Sequence, residues 1–137
     1  MVIERPGPQH GNMERREFVR IRVALQVRYA YVGADGNRLP PGLSEGVSTN
    51  LSAGGILIQA RIPDLAWVVE LLTQRLSVAV SIMVPTEMEP IKALARAAWV
   101  ETVDPVTHRC NLGLTFKEIT REDQDRLCRF VIKTQLG

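Results

Sequence analysis

Two short elements hold the residues best suited to chemistry. Arg16-Glu-Phe-Val-Arg20 sets two guanidinium groups just before the first patterned segment, with Arg15 directly ahead of them. Asn50-Leu-Ser52-Ala-Gly54-Gly55 sets an amide, a hydroxyl and two glycines between apolar runs. A guanidinium offers a planar fork that meets a phosphate or a guanine edge bidentately, and its plane stacks on flat rings. Amide and hydroxyl both donate and accept hydrogen bonds. Glycine removes the side chain where a ligand must approach the backbone. This is the chemistry of recognition rather than of bond breaking.

The rest of the composition argues against catalysis. There is no P-loop, no Gly-x-Ser-x-Gly elbow and no paired-carboxylate constellation. The two cysteines, Cys110 and Cys128, sit among apolar neighbours and are too few for a zinc cluster. The two histidines, His10 and His108, are far apart in sequence. No catalytic residue, metal site or cofactor is therefore expected, and the chain reads as a binding protein rather than an enzyme.

With 137 residues, 45% hydrophobic and 23% charged, the chain has the make-up of one soluble domain. No apolar stretch approaches the roughly 20 residues of a membrane span. Met1–Asn12 contains no secretory apolar run, so a cytoplasmic location is expected. The net charge is only +2. Residues 1–22 hold five arginines against three glutamates, and the remainder is balanced. A generic nucleic-acid binder would show a larger excess of positive charge, so no nucleic-acid polymer is expected as partner.

The elements that must position the two motifs follow from periodicity. Residues 1–14, rich in Pro and Gly, read as a flexible leader ahead of a domain over 15–137. From Ile21 to Tyr31 apolar and polar residues alternate, which predicts one long strand. Val47–Asn50 reads as the end of a second strand, Leu51–Gly55 as a turn and Ile56–Ala60 as a third strand. Leu65, Val68, Val69 and Leu72 fall at helical spacing, with Asp64 as N-cap. Strands are expected from Leu76 to Val84, from Ile91 to Glu101 and from Cys110 to Phe116. Thr120-Arg-Glu-Asp123 then caps a helix of about three turns, with Leu127, Phe130 and Val131 as its apolar stripe. The expected fold class is mainly β: a six-stranded antiparallel barrel with a C-terminal helix and a short helix before the fourth strand.

Arg-x-x-x-Arg before a first strand, then Asn-x-Ser-x-x-Gly some thirty residues later between two strands, resembles the PilZ domain family. Ala97-Ala-Trp99-Val100-Glu101, Leu112-Gly-Leu-Thr-Phe116 and the acid-capped helix are similar to that family's second half, so the resemblance covers about residues 14–134. It implies a six-stranded barrel and a receptor for the bacterial second messenger cyclic di-GMP. By resemblance, Arg16 and Arg20 form the arginine motif, and Asn50, Ser52 and Gly55 form the second motif, with Gly54 beside it. Arg15 resembles the extra arginine of members that bind an intercalated ligand pair. Two cyclic di-GMP molecules stacked as a dimer are therefore expected. Binding would order the arginine arm and change the surface offered to a protein partner, whose identity the resemblance leaves open. The alternative is an adaptor of the same architecture that binds no nucleotide. Residues 63–75 are longer and more apolar than this family's connection. They read as a helix over one barrel end, or as a homodimer or partner surface centred on Trp67.

Overall fold

The computed structural model describes residues 19–136; the leader, Arg15 and Arg16 lie outside them. Among the described residues there are seven strands: β1 Ile21–Arg22, β2 Gln26–Val32, β3 Ser44–Leu51, β4 Gly55–Arg61, β5 Ser77–Ile82, β6 Ile91–Glu101 and β7 Arg109–Glu118. Among the described residues two helices accompany them, α1 Trp67–Leu72 and α2 Arg121–Leu136. The strands pair antiparallel in the order β1-β3-β2-β5-β6-β7-β4, and a further β3–β4 pairing closes the ring. The expected six-stranded barrel is thus formed by β2 to β7, with β1 as a two-residue extension beside β3. Closure removes the unpaired strand edges that an open sheet would expose.

Alternation fills the interior. Val78, Val80 and Ile82 of β5, Ile91, Ala93, Ala95 and Ala97 of β6, and Cys110, Leu112 and Leu114 of β7 are all buried. Tyr29 and Tyr31 also point inward, edge to face with ring centroids 5.8 Å apart. Their hydroxyls meet the end of β4: Arg61 N–H donates to Tyr29 Oη at 2.8 Å, and Tyr31 O–H donates to the Arg61 carbonyl at 2.8 Å. Leu127 and Val131 seat α2 on the barrel, with Phe130 partly covered. At the start of α2, Thr120 Oγ1 accepts a hydrogen bond from Asp123 N–H at 3.1 Å. The helix runs 16 residues, longer than the three turns expected.

Two expectations are corrected. The single strand over Ile21–Tyr31 is two strands, interrupted at Val23–Leu25. Ser48, fully buried, makes the interruption tolerable. Its Oγ accepts from Leu25 N–H at 2.8 Å, and its hydroxyl donates to the Val23 carbonyl at 2.6 Å. Ser48→Ala strands a buried donor and a buried acceptor, so it is expected to cost about 1–3 kcal/mol. A denaturant midpoint equal to the parent's would contradict this. The second correction concerns α1. Leu65, Val69 and Leu72 face outward, and the helix is held instead by buried Leu71 with Trp67 and Val68. Trp67, half-buried, packs edge-on against Tyr31 with ring centroids 5.4 Å apart. Asp64 is not the N-cap, a position held by Ala66. It forms a turn ahead of the helix, its Oδ1 accepting from Ala66 N–H at 2.9 Å.

Burial also sets a pH limit. It pushes the Cys110 thiol up to about 11 and raises the Tyr29 and Tyr31 phenols. As pH rises above about 9, the unfolded chain releases these protons while the native barrel keeps them. The native state then binds more protons, so stability must fall with pH in that window. The guanidinium midpoint is expected to be lower at pH 10.5 than at pH 8, and an unchanged midpoint would show that these groups do not matter.

Candidate functional site

Register brings the two motifs together. Arg22 pairs with Asn50 and Ile21 with Leu51 across β1 and β3. Ile21 is buried and Arg22 exposed, so Arg20 continues along the outer face beside Ser52. Arg20, Asn50, Ser52, Gly54 and Gly55 all line one open cavity of about 880 Å³. That is within the range of pockets that enclose a small-molecule ligand. Arg15 and Arg16, just ahead of Arg20 in sequence, lie outside the described residues.

The turn between β3 and β4 is built by its own serine. Ser52 Oγ accepts hydrogen bonds from Gly54 N–H at 3.2 Å and Gly55 N–H at 3.1 Å, while Ser52 N–H donates to the Gly55 carbonyl at 2.9 Å. Gln124 of α2 donates to the Ala53 carbonyl at 2.9 Å and ties the turn to the helix. Ser52 is only 7% exposed. Its first task is to shape the turn. Asn50 differs: it is half-buried, and among the described residues its side-chain amide has no partner. Gly55 is needed for close approach rather than for a positive φ. A Cβ there would press into the Leu114 carbonyl on β7. Neighbouring backbone is locked by Phe116 N–H, which donates to the Gly54 carbonyl at 2.9 Å.

Sequence reasoning did not single out the cavity's aromatic wall. Strand parity from Ile91, Ala93, Ala95 and Ala97 would turn Trp99 inward. A bulge between Ala97 and Trp99 turns it outward instead, opposite Gly113. The indole lies over Gly113 so closely that a Cβ at that position would collide with the ring. Trp99 remains 39% exposed and lines the cavity beside Gly113. Its signal in sequence was the pairing of a tryptophan with a glycine on neighbouring strands, visible only once the register is known. Lys117 adds a cation to the wall, its Nζ donating to Ser77 Oγ at 2.6 Å. The cavity therefore offers cations, the Asn50 amide, a glycine-lined turn and a flat aromatic surface. Among the described residues no group of three or more metal-ligating side chains occurs. No described helix is long and apolar enough to cross a membrane.

Known structures share this architecture. The Bacillus subtilis inhibitor of motility (MotI/DgrA) superposes with a TM-score of 0.64 at 26% identity, over 89% of this chain and 52% of that one. The PilZ domain of YcgR from Escherichia coli, solved with c-di-GMP, gives 0.53 at 15% identity over 89% of this chain and 92% of that one. The K. pneumonia MrkH–c-di-GMP complex gives 0.57 at 17% identity over 89% and 52%. The chain thus spans about half the length of the MotI and MrkH chains. Among curated proteins no sequence matches. The family model for the PilZ domain matches residues 14–133, nearly the whole of the barrel and α2, and the chain belongs to the PilZ domain family.

Proposed function

We propose that this protein is a cyclic di-GMP receptor that acts by binding and not by catalysis. The observation that carries the reading is the convergence of Arg20 and Asn50 on one open cavity with the exposed Trp99 indole as a wall. Each part answers one need of the ligand. Arginine forks meet phosphate oxygens or the O6/N7 edge of guanine. Asn50 supplies a donor and an acceptor to a base edge. The indole gives a guanine plane a surface to stack on, a contact worth about 1–3 kcal/mol per base. The shape set by Ser52 and Gly55 lets the ligand reach backbone at Gly54. Structural relatives solved with this ligand support the assignment.

Arg15, Arg16 and Arg20 together supply more forks than one ligand requires. Two cyclic di-GMP molecules, intercalated as a stacked dimer, present four guanines and four phosphates and use all three. Binding would draw the arginine arm onto the cavity, and a protein partner in the cytoplasm would read the surface so formed. Isothermal titration calorimetry tests both levels of the proposal. The expected stoichiometry is two ligands per chain, falling to one with Arg15→Ala. A parent stoichiometry of one, or two ligands at unchanged affinity in Arg15→Ala, overturns the dimer. Absence of heat with the parent overturns the receptor and leaves the nucleotide-free adaptor.

A further inference from the structure

A second cavity, of about 860 Å³, opens on the outer face of β2, β5 and β6. Register places Arg28 opposite Ser81 and Ser81 opposite Lys92, so one row across three strands reads cation, hydroxyl, cation. The next row offers Ala79 and Leu94, low and apolar, with Ala30 beside them fully buried. A bridge between Val32 and Arg38 brings a third cation to the wall. Arg28, Arg38 and Lys92 are all exposed. Among the described residues, Arg38 and Lys92 form no ion pair. Three carboxylates are near: Glu118 on the rim, Asp123, whose Oδ2 accepts from Lys92 N–H at 3.1 Å, and Glu45 at 3.9 Å from Arg28 with both side chains largely exposed. An exposed pair of that kind is weak and gives way to a better-placed anion.

We infer that this groove binds an extended acidic segment of a partner protein. Adjacent strands lie about 4.8 Å apart, so the Arg28 and Lys92 backbones are separated by about 10 Å. A peptide in the extended polyproline II conformation advances about 3.1 Å per residue with three residues per turn, so carboxylates three positions apart share one face about 9 Å apart and match that spacing. The apolar row beside them accepts the small side chains between. A single-stranded nucleic acid fits less well, because the described lining contains no aromatic residue to stack a base. A row of cations along an open groove suits a narrow chain better than a flat lipid surface. The groove meets the first cavity at Glu118 and Ile119, which line both.

Fluorescence anisotropy with a fluorescein-labelled peptide Glu-Val-Thr-Glu-Val-Thr-Glu tests the inference without cyclic di-GMP, so its outcome is independent of the receptor assignment. The parent is expected to bind saturably, and Arg38→Glu/Lys92→Glu to weaken binding at least about tenfold. Arg96→Glu, exposed on β6 but outside the groove, is expected to change affinity less than about twofold. Melting temperatures establish that the variants fold; should the double reversal fail to, Arg38→Gln/Lys92→Gln carries the same comparison. No saturable binding by the parent, or an equal loss in Arg96→Glu, overturns the inference. So does tighter binding of a thymidine oligonucleotide or of phosphatidylglycerol vesicles that is lost in the same double variant.

Discussion

Replacing Arg20 with alanine is expected to weaken cyclic di-GMP binding by roughly 10- to 150-fold, which corresponds to about 1.5–3 kcal/mol of charge-assisted hydrogen bonding. The barrel should be indifferent to the change. Arg20 is exposed, lines the cavity, and forms no ion pair among the described residues. Its loss should therefore leave stability within about 0.5 kcal/mol of the parent, as for other surface substitutions. Arg20→Lys keeps the charge but loses the fork, so its affinity should fall between the two. Arg16→Ala is expected to show a loss of similar size, since it is the other arm of the same motif. Calorimetry on Arg16→Ala and Arg20→Ala decides the matter. If both bind as the parent does, the arginine motif is idle and the receptor reading fails.

The β3–β4 turn should respond differently, in stability as well as in binding. Ser52→Ala leaves the Gly54 and Gly55 N–H groups without their acceptor, so about 1–3 kcal/mol of stability should be lost. Gly55→Val should lose more. The new Cβ meets the Leu114 carbonyl, and backbone cannot swing aside as a side-chain tip can. Overpacking of this kind costs about 1–3 kcal/mol and occasionally more, and here it also pries β4 from β7. Both variants should bind cyclic di-GMP more weakly even where they remain folded, because the cradle beside Asn50 has changed shape. Thermal melts and low-temperature calorimetry separate the two effects. Parent-like melting in both variants would show that the hydrogen bonds and the close approach contribute nothing. Lower melting with parent affinity would show that the turn supports the barrel and not the ligand.

Much of the architecture was legible because its causes are local. Strict alternation over Val78, Val80 and Ile82 predicts a half-buried strand without knowledge of its neighbours. Thr120 followed by acids predicts the start of α2 for the same reason. The failures occurred where a local pattern competes with a tertiary demand. Leu65, Val69 and Leu72 have helical spacing, yet the barrel end accepts Trp67, Val68 and Leu71 instead. The edge-on contact between Trp67 and Tyr31 fixes the helix rotation, and a hydrophobic count along one helix cannot see it. The strand break at Val23–Leu25 was hidden similarly, because apolar parity continues across it. Ser48 and Thr49, more than twenty residues away, satisfy the freed backbone groups.

From the sequence alone came a mainly β barrel, its closing helix, and two motifs whose residue types suit an anionic purine ligand. Those conclusions rest on composition, period and short spacing, which one strand or one turn can express by itself. Whether the motifs meet was a matter of register: β1 lies against the end of β3, and that pairing carries Arg20 to the cavity where Asn50 stands. The tertiary structure also showed that Ser52 builds the turn, its hydroxyl accepting from two backbone N–H groups at the wall of the same cavity. It placed Trp99 outside the barrel as well. The period of β6 points that residue inward, but one extra residue at the bulge reverses every side chain beyond it, and the glycine across the ladder leaves just the room an indole needs.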